Sequence, residues 1–131
     1  MKIRVVSSKD EISTLDSDEQ IVHLAFRPSN KDIFALVSRC PGLKALHIPS
    51  SYKKTISRSI GIFLEMQEIQ LIEGDVWGHR KDINEYYEIK ASILDRISNL
   101  KREGISEKQI HKKITEETRL SPDLISFLIR N

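Results

Sequence analysis

Three segments of the chain repeat one apolar template: Ile21-x-x-Leu24-x-Phe26, Leu43-x-x-Leu46-x-Ile48 and Met66-x-x-Ile69-x-Leu71. Their middle positions lie 22 residues apart (24 to 46) and then 23 (46 to 69). Each template ends in a short alternating run, which reads as a strand because side chains at i and i+2 share a face. Helical patterns fill the intervals. Asn30 to Arg39 sets Ile33, Leu36 and Val37 on one side, and Cys40-Pro41-Gly42 stops it. Ser51 to Glu65 sets Ile56, Ile60, Phe63 and Leu64 on another stripe. A fourth strand, Ile3 to Ser7, and a short helix from Lys9 to Leu15 precede the set. Strands joined by crossover helices pair in parallel. The spacing therefore predicts an α/β fold. Parallel strands near Ile3–Val6, Ile21–Phe26, Lys44–Ile48 and Ile69–Ile72 should form one small sheet of repeat-like strand–helix units, with helices over one face.

The period also falls within the range of leucine-rich repeats, and the stretch from Arg39 to Pro49 (RCPGLKALHIP) resembles one in spacing. Where such repeats carry asparagine, this chain has Ser29, Ser51 and Gly74, and three units are too few for a horseshoe. A compact open α/β sheet is the competing topology.

The pattern breaks at Glu73 to Asp82 (EGDVWGHRKD), which suggests an α/β domain over residues 1–82 and a three-helix module over 83–131. A long helix is expected from Ile83 to Arg102, with Tyr86, Ile89, Ile93, Ile97 and Leu100 as its stripe and Gly104 as its stop. Ser106 opens a second helix with Gln109 as its capping-box partner, and Ser121-Pro122 opens a third. The last two helices, from Glu103 to Leu128, resemble a helix-turn-helix. Two features depart from that motif. Thr115 to Arg119 adds about one turn between the helices, and the final helix offers only Asp123, Ser126 and Arg130 to a nucleic acid. Through Lys2-Ile3-Arg4-Val5-Val6, Cys40-Pro41-Gly42-Leu43 and the 74–80 loop (GDVWGHR), the whole chain resembles a family of short, uncharacterised archaeal proteins found in methanogens. That resemblance implies a cytoplasmic archaeal setting and carries over no activity and no site residue.

Composition excludes several classes. No apolar run approaches the ~18 residues of a membrane span, and the charged start MKIRVVSSKDE argues against a signal peptide. A single cysteine, Cys40, excludes a disulfide scaffold and suits a reducing compartment. With 21 basic and 19 acidic residues the net charge is +2, too small to imply nucleic-acid binding by itself.

Charge distribution is more informative than net charge. From Ile33 to Leu64 there is no acidic residue, yet the stretch holds Arg39, Lys44, Lys53, Lys54 and Arg58. Lys53 and Lys54 follow Ser50 and Ser51 in the first turn of an expected helix, where free backbone N–H groups attract anions. The alternative is a solvated basic face. Strand ends should collect Arg27, Tyr52, Trp77, His79 and Arg80 along the edge where open α/β sheets bind ligands. If the templates face the helices, then His23, Ala25, Arg27, Ala45, His47, Glu68, Gln70 and Ile72 face the other way, joined by Arg4 and Val6 from the first strand. That second face is either a binding surface or the dock of the C-terminal helices. His23 and His47, two residues out of register and roughly 7 Å apart, could imitate a metal triad with Glu68, but no ligand spacing supports one. No nucleophile motif or phosphate loop is present, so no catalytic residue, metal or cofactor is assigned.

The leading expectation is a non-enzymatic cytoplasmic regulatory or interaction protein. It would contact nucleic acid, or an acidic protein partner, through Lys44, Ser50, Ser51, Lys53, Lys54 and Arg58, assisted by Lys108, Lys112 and Lys113. The alternatives are a small-anion or nucleotide-binding domain, an enzyme included, and a protein adaptor. Covering both the long helix and the sheet needs more apolar surface than two short helices supply, so a homodimer through the C-terminal helices is also expected.

Overall fold

The computed structural model describes residues 1–76, 79–80 and 84–131. Its strands are β1 (Lys2–Val6), β2 (Ile21–Leu24), β3 (Ala45–Ile48), β4 (Gln70–Glu73) and β5 (Tyr86–Glu88). They form one sheet in the order β4-β3-β2-β1-β5. Parallel pairing runs from β1 through β4, as the repeat spacing predicts, with Val22 opposite both Arg4 and Leu46, and Leu46 opposite Leu71. A 3-10 turn (Lys9–Thr14), α1 (Asn30–Arg39), α2 (Ser50–Lys53) and α3 (Arg58–Met66) occupy the crossovers. The chain ends in α4 (Ala91–Arg102), α5 (Glu107–Glu117) and α6 (Pro122–Arg130).

Local chemistry sets the helix ends. The Ser29 hydroxyl accepts the Asp32 N–H at 3.2 Å, and the Asp32 carboxylate accepts the Ser29 N–H at 2.9 Å, a reciprocal cap that starts α1. The single helix expected from Ser51 to Glu65 is instead two. Thr55 donates its hydroxyl proton to the Tyr52 carbonyl, and Ser57 accepts the Ile60 N–H to open α3, so side chains take over backbone bonds and the helix restarts.

The faces divide as the alternation requires. Val22, Leu24, Leu46 and Ile48 pack with Ile33 and Leu36 of α1 and with Ile60 and Leu64 of α3. On the second face Ile21, Ala45 and Ile72 join Ile97, Leu100, Ile110 and Ile114 and the residues of α6. That face is therefore a dock. In β1 the assignment reverses: Val6 lies in the crossover-helix core and Ile3 in the other, so Arg4 and Val6 do not belong to the second face.

The long helix predicted from Ile83 starts only at Ala91, and Ile83 lies outside the described residues. Residues 86–88 add an antiparallel strand to the open edge of β1, with Ile3 opposite Tyr87 and Arg4 opposite Tyr86. Two adjacent tyrosines suit a strand, and Tyr86 gains polar partners there. Its hydroxyl donates to the Glu19 carboxylate at 3.0 Å, and the Arg4 guanidinium lies 5.4 Å from its ring centre.

The expected shortage of covering surface is also absent. α6 buries Leu124, Ile125, Phe127, Leu128 and Ile129 at once, so the stripe of α4, with Ile97 and Leu100 buried, is satisfied inside one chain. The argument for a dimer through these helices falls with it. Ile125 has no exposed surface and sits at the centre of this packing. Ile125→Ala should lower unfolding free energy by about 2–5 kcal/mol, read as a lower urea midpoint at unchanged slope. A loss below about 1 kcal/mol would mean that α6 is not held on the sheet.

Candidate functional site

At the carboxyl ends of β2 and β3, His23 and His47 sit directly opposite each other, in register rather than two residues apart. Their Nδ1 atoms are 2.7 Å apart, so one donates a proton and the other accepts it. Both rings are buried beneath the C-terminal helices. Burial drives the His47 pKa down to about 3, with the charge of His23 adding to the effect and Asp123 opposing it. The His23 pKa falls to about 4, again chiefly by burial, with Asp75 opposing and His79 adding to it. The pair is neutral near pH 7. Glu68 takes no part: it holds a left-handed turn conformation (φ 60°) ahead of β4, and His47 faces Ile72 across the ladder. Among the described residues no group of three or more His, Cys, Asp or Glu side chains is arranged to hold a metal ion.

The start of α6 is keyed into the same edge. The Asp123 carboxylate accepts the Glu73 N–H at 2.9 Å and pairs with the Lys53 ammonium at 3.5 Å. Gly74 (φ 156°) lets the chain pass close by. A Cβ at this position would lie 2.5 Å from the Ser121 side chain and 2.6 Å from His47 Nε2. His47 Nε2 and His79 Nε2 are buried without a hydrogen-bond partner among the described residues.

The sequence-predicted cations do not all share one element. Lys44 precedes β3, whereas Ser50, Ser51, Lys53 and Lys54 follow it, at the opposite end of the strand. α2 is a single turn capped by Pro49, and Lys53 spends its charge on Asp123. Arg58 opens α3, in the same helical layer as α2. Of the ligand-edge residues, Arg27 and Tyr52 do meet, guanidinium over ring at 5.7 Å. The His79 ring lies 6.1 Å from that of Tyr87, Arg80 is exposed, and Trp77 is outside the described residues. Burial pushes the Cys40 thiol up to about 11, and the thiol donates to the Asp16 carbonyl, so it is a cap residue and no nucleophile.

The helical tail carries the most specific geometry. α4 and α5 are joined by four residues, 103–106, in which Gly104 adopts φ 78° and the Ser106 hydroxyl accepts the Gln109 N–H. A short glycine-containing turn between two helices is a feature of helix-turn-helix units, and the connection from α5 to α6 (118–121), where the sequence resemblance lies, is equally short. Ile110 and Ile114 face the core, so Lys108, Lys112 and Thr115 form the opposite, exposed stripe of α5, flanked by Gln109 and Lys113. By contrast α6 shows solvent little beyond Pro122 and Arg130. His111 Nε2 lies 3.0 Å from the Pro122 carbonyl and ties α5 to the start of α6. The exposed stripe of α5 was legible as lysines. Which helix would be free to present them was not.

The histidine pair makes a pH dependence unavoidable. Unfolded histidines titrate near ~6.5, while the folded pair stays neutral well below that, so its contribution is complete above ~6.5 and is lost as pH falls toward 4. Stability should decline in that window by up to ~1.4 kcal/mol per pH unit for each ring. Urea midpoints measured from pH 7 to 5 should show this, and His23→Leu with His47→Leu should flatten the curve. Equal slopes in wild type and variant would contradict the buried neutral pair.

Comparison with known proteins yields neither a curated protein nor a solved structure that matches. No helix among the described residues is long and apolar enough to cross a membrane. Residues 92–130, which hold α4 to α6, match the C-terminal helix-turn-helix domain of a protein family of unknown function. Residues 2–85 match the N-terminal domain of the same family, and on these matches the chain belongs to the family of unknown function DUF1699.

Proposed function

We propose that this chain is a cytoplasmic regulatory protein that binds nucleic acid through α5. The observation that carries the reading is the exposed stripe Lys108–Lys112–Thr115, flanked by Gln109 and Lys113, on the helix that follows the glycine turn. In such units the helix after the turn lies in the major groove, its N-terminal residues touching base edges and its neighbours touching phosphate. Lys108, Lys112 and Lys113 supply the phosphate contacts, and Gln109 has the amide that can pair bidentately with adenine. Residues 1–82 act as the scaffold that immobilises α6, so that residues 83–131 present α5 rather than α6. Lys54 lies beside the Lys53–Asp123 junction, near the end of the tail where His111 meets Pro122, and extends the basic surface toward the strand edge.

Lys108→Ala with Lys112→Ala should weaken binding to duplex DNA at least about tenfold at ~0.1 M salt and reduce the slope of log affinity against log salt by about 2. Both residues are exposed, so the thermal midpoint should hardly move. An unchanged isotherm and salt slope in this double variant, or no duplex binding by wild type at low salt, would remove the reading.

A further inference from the structure

Three of the large hydrophobic side chains that stay exposed gather on the outer face of the crossover helices, away from α5: Phe34 (47% exposed), Ile62 (47%) and Met66 (76%). They form one patch, because the Phe34 ring meets that of Phe63 edge-on at 4.8 Å and so joins α1 to α3. Contiguous exposed apolar side chains of this size mark an interaction surface more often than chance.

The charges around the patch say what covers it. At 100° per residue, Ile62 marks the centre of the exposed face of α3, with Ile60 and Leu64 turned to the core. Arg58 and Glu65 both fall on one flank of that centre, and Ser59 and Met66 on the other, the side toward Phe63 and Phe34. Along the axis Arg58 lies about 6 Å before Ile62 and Glu65 about 4.5 Å after it. A two-fold axis through the Ile62 position sets a second α3 antiparallel and keeps each flank on its own side. Arg58 of either copy then falls within about 1.5 Å, axially, of Glu65 of the other. The same operation sets Met66 against Ser59 and brings the Phe34 side chains toward the apolar flank. Neither Arg58 nor Glu65 has an ion-pair partner among the described residues of its own chain. A surface whose opposite charges match under its own two-fold fits a second copy of itself.

We propose that the chain forms a two-fold homodimer through α1 and α3, centred on Ile62, with reciprocal Arg58–Glu65 ion pairs. Two helices of ten and nine residues side by side offer a face of roughly 15 by 20 Å on each copy, smaller than stable specific interfaces, so the dimer is a weak, reversible one. Each α5 then lies on the far side of its own sheet, clear of the interface.

The test is light scattering and sedimentation of the full chain without nucleic acid, from about 1 to 200 µM. Wild type should double its mass across that range. Ile62→Asp should stay monomeric. Arg58→Glu and Glu65→Arg should each weaken the dimer at least about tenfold, since each sets like charges opposite each other, and the double reversal should restore it. Mixing the two single variants should also restore association, as a heterodimer. All three positions are exposed, and circular dichroism should show each variant folded. A wild-type monomer at 200 µM would overturn the proposal. So would a dimer indifferent to the single reversals, or a double reversal no tighter than either single.

Discussion

One packing arrangement decides what this molecule can show to a partner: α6 is buried between α5 and the second face of the sheet. Leu124, Ile125, Phe127, Leu128 and Ile129 are all buried there. At roughly 1.5–3 kcal/mol for each fully buried large apolar side chain, this helix is among the strongest contributors to the core, even after allowance for a compact unfolded state. Asp123 adds direction to an otherwise non-directional contact. By accepting the Glu73 N–H and pairing with Lys53, it fixes where along the edge of the sheet the helix begins. Within α6 only Pro122 and Arg130 are fully exposed. α5 buries Ile110 and Ile114 and leaves its lysines in solvent.

The histidine pair belongs to the same interface. Two imidazoles buried side by side carry polar atoms into an apolar contact, a costly arrangement unless they bond to each other. His23 and His47 meet that need across the β2–β3 ladder, one proton between two Nδ1 atoms at 2.7 Å. The bond needs one ring to keep an unprotonated Nδ1, and it needs the observed register. A shift of β3 by one residue would turn His47 to the opposite face and leave His23 unpaired. Gly74 completes the fit, since any side chain there would strike the His47 ring and Ser121. Acid therefore acts on the dock between sheet and tail, not on the outer helical layer.

Much of this architecture is visible in the residue pattern. The 22–23-residue spacing of Leu24, Leu46 and Ile69 foretold the parallel sheet, and the alternation within each template correctly separated Leu24, Leu46 and Ile48 from Ala45, His47 and Ile72. Register was not legible. The repeat aligns Leu24 with Leu46, whereas the ladder sets Val22 against Leu46, and only that two-residue shift brings the histidines together. β5 escaped because three residues are too few for periodicity and because Tyr86 and Ile89 continue the helical spacing of Ile93 and Ile97. That α6 is buried more deeply than α5 was not read from the pattern. A usable signal was present: apolar residues at 124, 125, 127, 128 and 129 span about 200° of a helix, wider than the stripe of a helix with one buried face.

Amide hydrogen exchange tests the central claim, that α6 is part of the scaffold while α5 is the presented helix. The account predicts that the backbone amides of 125–130 exchange as slowly as those of β1 to β3, by global unfolding alone. Addition of duplex DNA should then slow exchange or shift resonances around 106–113 and leave α6 unchanged. Exchange of α6 through easy local opening, or a DNA footprint centred on 122–131, would contradict it.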